Sequence, residues 1–233
     1  MAEAGRSLKT FYVVLGLIAI VGIVLIVRAA SRGPSAPLVM AACGGPPLGG
    51  VAPSGVVIGP DSAPVKITEY ADFECPACAR FAILTMPDVI QRLIPTGKLQ
   101  WRWMDFPLQQ HANSPLAHVA AACAADQGKF WPMQYQLYYH QDDWFADRDP
   151  ESKFLDYARQ AGLDADSLKV CIAQRRPWPR IEANRCSGEQ AGIQETPTLF
   201  VNGKELEQPP AFDDLQRIVD SVSALAASPA RRR

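Results

Sequence analysis

The chain has 233 residues, 48% of them hydrophobic and 20% charged, which is enough to bury one real core. Its formal net charge of -1 supplies no basic field, and this sets nucleic-acid binding aside. One globular domain with accessory segments is the expectation.

Phe11 to Val27 runs without charge or proline for about 17 residues, the lower end of what spans a bilayer as a helix. Arg6 and Lys9 precede it while Arg28 and Arg32 follow, so flanking charge alone does not orient it. A cleaved signal has a shorter apolar stretch, about 7–15 residues, and small residues where Arg28 stands here, so an uncleaved signal anchor is expected. The six cysteines fit a compartment outside the reducing cytoplasm, which puts the N-terminus in and the domain out, in the periplasm or on the outer face. The predicted organisation is a cytoplasmic N-terminus (1–10), a transmembrane signal anchor (11–28), a flexible linker rich in Ala, Gly, Pro and Ser (29–54), a folded domain (55–228) and a solvated basic tail (229–233). Leu38 to Gly44 resembles a bacterial lipidation site only in part, because the apolar run ends far upstream, so Cys43 is read as free or bridged.

Val56-Val57-Ile58 is a short strand, and Val65 to Tyr70 alternates as a central one. From Cys75 a helix runs through Ile83 and Leu84, kinks near Pro87 and resumes with Val89, Ile90 and Leu93. Lys98 to Met104 alternates again and closes a strand–helix–strand unit. Five helices are then predicted: from an N-cap at Ser114 to Asp126, Phe130 to about Gln141, Lys153 to Gln160, one from Asp164 or Asp166 through Cys171, and one from Pro177 or Pro179 towards Gly192. Glu195 to Leu206 reads as two strands joined by an Asn202-Gly203 turn, and Ala211 to Ala227 as an amphipathic closing helix. Trp101, Trp103, Trp131, Tyr135, Tyr138 and Tyr139 read as core and groove lining, and His111 as a solvated loop residue within reach of the cysteines.

Cys75-Pro76-Ala77-Cys78 stands where a strand hands over to a helix. The free N–H groups and positive dipole end of a first helical turn stabilise a thiolate on Cys75, and Cys78 lies three residues on, on the same face. Such a dithiol can close to a disulfide and reopen by exchange. A zinc site requires four ligands, and His111, His118 and His140 stand at no familiar ligand spacing, so no metal is expected.

Taken with the distant Thr196-Pro197-Thr198-Leu199-Phe200-Val201-Asn202-Gly203, the string Asp72-Phe73-Glu74-Cys75-Pro76-Ala77-Cys78 resembles the DsbA-like branch of the thioredoxin superfamily. These are thiol:disulfide oxidoreductases of bacterial cell envelopes, and the resemblance covers about Val56 to Ala227. It implies an α/β thioredoxin fold with an inserted helical subdomain at about 112–192, here preceded by the transmembrane helix. It further implies that Cys75 is the nucleophile, that Cys78 is the resolving thiol, and that a cis Thr196–Pro197 bond packs beside them to receive an extended substrate. Glu69 matches the family's sheet-borne acid near the buried cysteine and can relay a proton, or is a solvated strand residue. The resemblance also implies a structural Cys123–Cys171 bridge, the alternative being two buried free thiols. Cys43 and Cys186 can pair with each other, with a partner chain or not at all.

The implied function is disulfide formation in exported proteins that carry free thiols, with no cofactor. A membrane quinone-coupled thiol oxidase would recharge the dithiol, or an electron donor would reduce it. Reduction, isomerisation and a non-catalytic binding module are the alternatives. Ala77 stands where the strongest oxidants carry histidine, and Asp72 and Glu74 add negative charge. Cys75 is therefore expected below a free thiol in pKa yet less depressed than in those oxidants.

Overall fold

The computed structural model describes residues 12–22, 38–45 and 50–227. Residues 12–22 form a helix on which Val13, Leu15, Leu17, Ile18, Ile20 and Val21 are all exposed. No helix among the described residues is long and apolar enough to cross a membrane. The rest of the predicted anchor, Phe11 and residues 23–28, lies outside them, as does the basic tail.

The remainder of the chain forms a second compact unit around a five-stranded sheet of order β1-β3-β2-β4-β5. Its strands are β1 (Val56–Ile58), β2 (Val65–Ala71), β3 (Leu99–Asp105), β4 (Thr198–Val201) and β5 (Lys204–Glu205). β2 and β3 run parallel, joined by the crossover helix α1 (Pro76–Leu84), whereas β1, β4 and β5 are antiparallel additions. A parallel pair needs such a crossover, and the crossover places α1 on one face. On that face Val65, Ile67, Leu99, Trp101 and Leu199 pack with Phe81 of α1 and with Phe212, Leu215 and Val219 of the closing helix. Both central strands are covered on two sides, which is why Tyr70 and Met104, on the opposite face, are also buried.

After Leu84 the chain bends at Thr85 and winds through Met86–Asp88, a π turn over Val89–Leu93 and a 3-10 turn over Ile94–Thr96. Pro87 inside this stretch accounts for the irregularity. The inserted helices are α2 (Ser114–Ala125), α3 (Phe130–Tyr139), α4 (Gln141–Trp144), α5 (Glu151–Gln160), α6 (Ala165–Gln174) and α7 (Trp178–Gln190); α8 (Phe212–Ala227) closes the fold. The predicted cap at Ser114 is one residue late. Asn113 is the cap, and its side-chain amide is spent on the carbonyls of Trp144, Phe145 and Asp147, 2.8–3.1 Å away. α4 was not expected, being one turn long and without a breaker before it.

α7 lies across the second face of the sheet at Gly188. A Cβ there would stand 2.6 Å from the Phe106 ring and 3.1 Å from Tyr70, so only glycine admits this approach. The end of β3 is tied into the insert through Asp105, which is buried. It meets His118 Nδ1 of α2 at 2.8 Å and accepts from Asn184 Nδ2 of α7 at 2.7 Å.

The segment expected as a flexible linker is fastened at Ala41, Cys43 and Ser54. Cys43 is disulfide-bonded to Cys186 on α7, Ala41 N–H donates to Glu182 at 2.7 Å, and Ser54 N–H donates to Asn184 Oδ1 at 2.7 Å. Composition indicated a tether because no apolar period is present; the attachment uses a disulfide and backbone hydrogen bonds, which leave no such period. Residues 29–37 and 46–49 lie outside the described residues.

Candidate active site

The backbone of Asp72 to Cys75 turns the end of β2 into α1. Asp72 C=O accepts from Cys75 N–H at 3.2 Å, and Asp72 Oδ1 accepts from Glu74 N–H at 2.6 Å, the hydrogen bond of an Asx turn. Cys75 is then the N-cap of α1, with Pro76 in the first position, where a missing N–H costs nothing. Its Sγ accepts from Cys78 N–H at 3.4 Å. Both cysteines are free thiols; Cys78 is fully buried and Cys75 nearly so, at 7% exposure.

The Thr196–Pro197 peptide is cis and lies against Cys75, whose Sγ–H donates to the Thr196 carbonyl at 3.1 Å. The sheet explains the meeting of segments so distant in sequence. β4 pairs with β2 in the register Tyr70 to Thr198, so the residues just before Thr198 must pass beside the end of β2, where Cys75 begins its helix.

The two thiols differ electrically. Cys75 is lowered to about 6, chiefly by its hydrogen bond with the Cys78 thiol, against the opposing cost of burial, with hydrogen bonds from Thr196 and from the Cys78 and Ala77 amides adding in the same sense. Cys78 is pushed well above the ordinary thiol range by burial first, and then by Cys75 and by the charge of Glu69. A value of about 6 sits within the range that helix N-termini and neighbouring groups impose on cysteine, above the ~3.5 of the strongest oxidants.

Glu69 is buried at 1% exposure, not solvated. Its Oε2 accepts from the Trp101 indole N–H at 2.9 Å, and burial, only partly offset by that bond, pushes its pKa up to about 7. A carboxyl that changes charge near neutrality beside a buried thiol can take up or give back that thiol's proton.

Several further residues hold the site. Tyr138 O–H donates to Asp72 C=O at 3.1 Å, while Gln141 Nε2 donates to the carbonyls of Phe73 and Cys75 at 2.7 and 3.2 Å. The helical insert thus grips the turn that presents Cys75. Asp72 is fully buried; its Oδ2 accepts from Leu108 N–H at 2.6 Å, and His111 Nδ1 stands 3.0 Å from its Oδ1. Asp72 raises the pKa of His111, with burial opposing it. His111 is therefore at the site and paired, where sequence suggested a solvated loop. No sequence signal marks Gln141. Cys123 of α2 and Cys171 of α6 are joined by a disulfide, each at 1% exposure.

A protein-family model described as Thioredoxin matches residues 52–221. The chain belongs to the thioredoxin family. Among curated relatives of this thioredoxin chain, Na(+)/H(+) antiporter NhaA 3 of Salinispora tropica is 35% identical over 171 residues, covering 73% of this chain and 25% of that protein. The chain thus spans about a quarter of the length of such antiporter relatives. Probable disulfide bond formation protein D of Bacillus anthracis is 25% identical over 170 residues, 70% of this chain and 76% of that protein. Among solved structures, BdbD from Bacillus subtilis shares the thioredoxin fold at a TM-score of 0.64 and 22% identity, covering 75% of this chain and 98% of that one. DsbA of Chlamydia trachomatis does so at a TM-score of 0.62 and 20% identity, covering 74% and 91%.

Proposed function

We propose that this protein is a membrane-anchored, extracytoplasmic thiol:disulfide oxidoreductase that forms disulfides in exported proteins. The observation that carries the reading is the asymmetry of the pair: Cys75 at a helix start with its pKa lowered to about 6, and Cys78 buried behind it with its pKa raised. The likeness to the Bacillus disulfide bond formation protein supports the same chemistry. Ion exchange stays with the antiporter, of which the chain spans a quarter.

In the oxidised enzyme a substrate thiolate attacks Cys75 Sγ, the Cys75–Cys78 bond breaks, and Cys78 leaves as a thiolate that takes a proton from Glu69. The mixed disulfide is then opened by the substrate's second thiolate, which attacks the substrate sulfur and expels Cys75. Two electrons pass from the substrate dithiol to the enzyme. The low pKa of Cys75 makes it a good leaving group in the second step, which favours net oxidation. Thr196 presents its backbone beside Cys75 to an extended substrate. A quinone-coupled membrane oxidase would take the two electrons away.

Two disulfides outside the active pair support an oxidising compartment, and the exposed apolar faces of helix 12–22 support an anchor. The deciding experiment mixes stoichiometric oxidised protein with a fluorogenic dithiol peptide and with its Cys75→Ser variant. Peptide oxidation by the native protein alone supports the proposal, whereas equal inactivity of both would sink it. A reduction potential near that of thioredoxin, about -270 mV, would assign reduction instead. Protease treatment of intact spheroplasts tests the location: a domain that survives until the membrane is permeabilised is on the wrong side for this reading.

A further inference from the structure

Two disulfides outside the active pair have opposite surroundings. Cys123 and Cys171 are each 1% exposed and come from α2 and α6, two helices packed together. Cys43 and Cys186 are both partly exposed, and Cys43 lies in a turn between the exposed residues Ala42 and Gly44. The bond borders a cavity of about 170 Å³, lined also by Gly44, Gly45, Pro53 and Gln190. Among the described residues, Cys43 is therefore left partly open to an incoming sulfur.

The departing sulfur is provided for as well. Arg185 Nη2–H is directed at Cys186 Sγ at 3.6 Å. That guanidinium is itself 1% exposed, and it is shared with Glu182, at 2.9 and 3.1 Å, and with Glu189. It acts on Cys186 as a directed donor, and a donor aimed at a sulfur improves that sulfur as a leaving group.

From this we infer that Cys43–Cys186 is a second, exchangeable redox site, opened by a protein dithiol and acting as a clasp on the N-terminal segment. A thiolate of the reductant attacks Cys43 Sγ, the Cys43–Cys186 bond breaks, and Cys186 leaves as a thiolate next to Arg185. The reductant's second thiolate then attacks its own sulfur in the mixed disulfide and expels Cys43. Two electrons and, with solvent, two protons reach the Cys43/Cys186 pair, and the reductant leaves as a disulfide.

Once open, the clasp is easily lost. Among the described residues, the stretch around Cys43 is held, beside the disulfide, by Ala41, whose N–H donates to Glu182 at 2.7 Å and whose C=O accepts from Arg185. Few contacts mean a low effective concentration of one thiol near the other, which makes such a disulfide easier to reduce than one between packed helices. The next hydrogen bonds along the described residues are at Ser54, to Asn184 and Arg180. With Ser54 still held, the chain from Cys43 to Ser54 is eleven residue steps, about 35–40 Å at full extension. If the protein is anchored as proposed above, reduction lengthens the tether by that reach; the opening of the bond does not depend on the anchor.

The test uses the full chain in detergent as the Cys75→Ser/Cys78→Ser variant, so that the active pair cannot relay electrons. It is equilibrated over graded ratios of reduced to oxidised dithiothreitol, acid-quenched, alkylated and digested for mass analysis. Cys43 and Cys186 are expected to be half alkylated at a ratio at least about tenfold below that needed for Cys123 and Cys171. The two pairs opening together, or Cys123–Cys171 first, would overturn the inference. Limited proteolysis of Cys43→Ser reads the clasp separately: new cleavage between residues 38 and 54 is expected, and a native pattern would show that the segment stays fastened without the bond. Dithiol-peptide oxidation by Cys43→Ser, with the active pair intact, should equal that of the native protein, so a failure of the oxidase reading is seen apart from a failure of the clasp.

Discussion

The Cys75 thiol donates to the Thr196 carbonyl at 3.1 Å, although 121 residues separate the two. This contact sets Cys75 against the backbone of the cis Thr196–Pro197 loop. Sheet pairing brings the two together, and the electrostatics of the helix start then set the chemistry.

Alkylation of Cys75 should titrate with a midpoint near pH 6, because its pKa is lowered to about 6. The Cys78 thiol is the main cause, so Cys78→Ala should move the midpoint up towards the ordinary thiol value. The folded pKa lies below the unfolded one, so the thiolate's contribution to the stability of reduced protein is complete above the ordinary value of 9.0 and is lost as pH falls through about 6. Urea titrations of reduced native protein and Cys75→Ala should diverge as pH rises across that window. Parallel curves would remove the stabilised thiolate.

Glu69 behaves in the opposite sense. Its folded pKa of about 7 lies above its ordinary 4.5, so the native state holds a proton that the unfolded chain has released. Stability from this group is full below about 4.5 and falls as pH rises through about 7. Glu69→Gln keeps an acceptor for the Trp101 indole and removes the buried charge, so it should melt higher than native protein at alkaline pH and alike in acid. Stopped-flow tryptophan fluorescence should show the steps involving Cys78 slowed roughly 10²-fold, the low end for positioned proton transfer. A gain in alkaline stability without kinetic loss would make Glu69 structural only.

The dithiol, the proline loop and the helical insert were legible because each has a local signature: Cys-Pro-Ala-Cys after an alternating strand, Thr-Pro before another, and caps and apolar periods within the insert. The supports of the site were not. Tyr138 and Gln141 reach back 66 or more residues to backbone carbonyls of the Asp72–Cys75 turn, and a hydrogen bond to a main-chain atom leaves no residue-type pattern to read. The burial of Glu69 escaped for another reason. A strand beside the crossover is covered on both faces, so alternation no longer says which positions see water. The clasp at Cys43 lies in a segment whose Gly, Pro and Ala content indicates freedom, and one disulfide overrules that composition.

His111 tests the electrostatic support from a third side. Its pKa is raised by Asp72, with Glu74 and Cys75 adding in the same sense and burial opposing. The pairing therefore stabilises the fold fully below the unfolded value of about 6.5 and is lost as pH climbs through the folded one. His111→Ala should lower stability more at about pH 5 than at about pH 9, where the ring is neutral in both states. The same variant should raise the Cys75 alkylation midpoint by removing a positive charge from its surroundings. His111→Lys, which restores charge without titrating in this range, should bring the midpoint back down, and an unmoved midpoint in both variants would confine His111 to loop packing.

Cys123–Cys171 closes a loop across a sequence separation of 48, and both sulfurs are packed within the helical insert. Chain-entropy arguments give such a bridge about 2–4 kcal/mol. Replacing both cysteines by alanine should lower the thermal midpoint by roughly 5–15 °C for a domain of this size. The insert grips the active-site turn through Tyr138 and Gln141, so loosening it should also reach the site. Exchange activity near room temperature should stay within about twofold of native, because the double variant remains folded there, but it should fail earlier on heating, in step with the melting curve. Activity that collapses well below the melting point would mean that the insert releases the turn before the domain unfolds as a whole, which separates the grip on Cys75 from the stability of the fold.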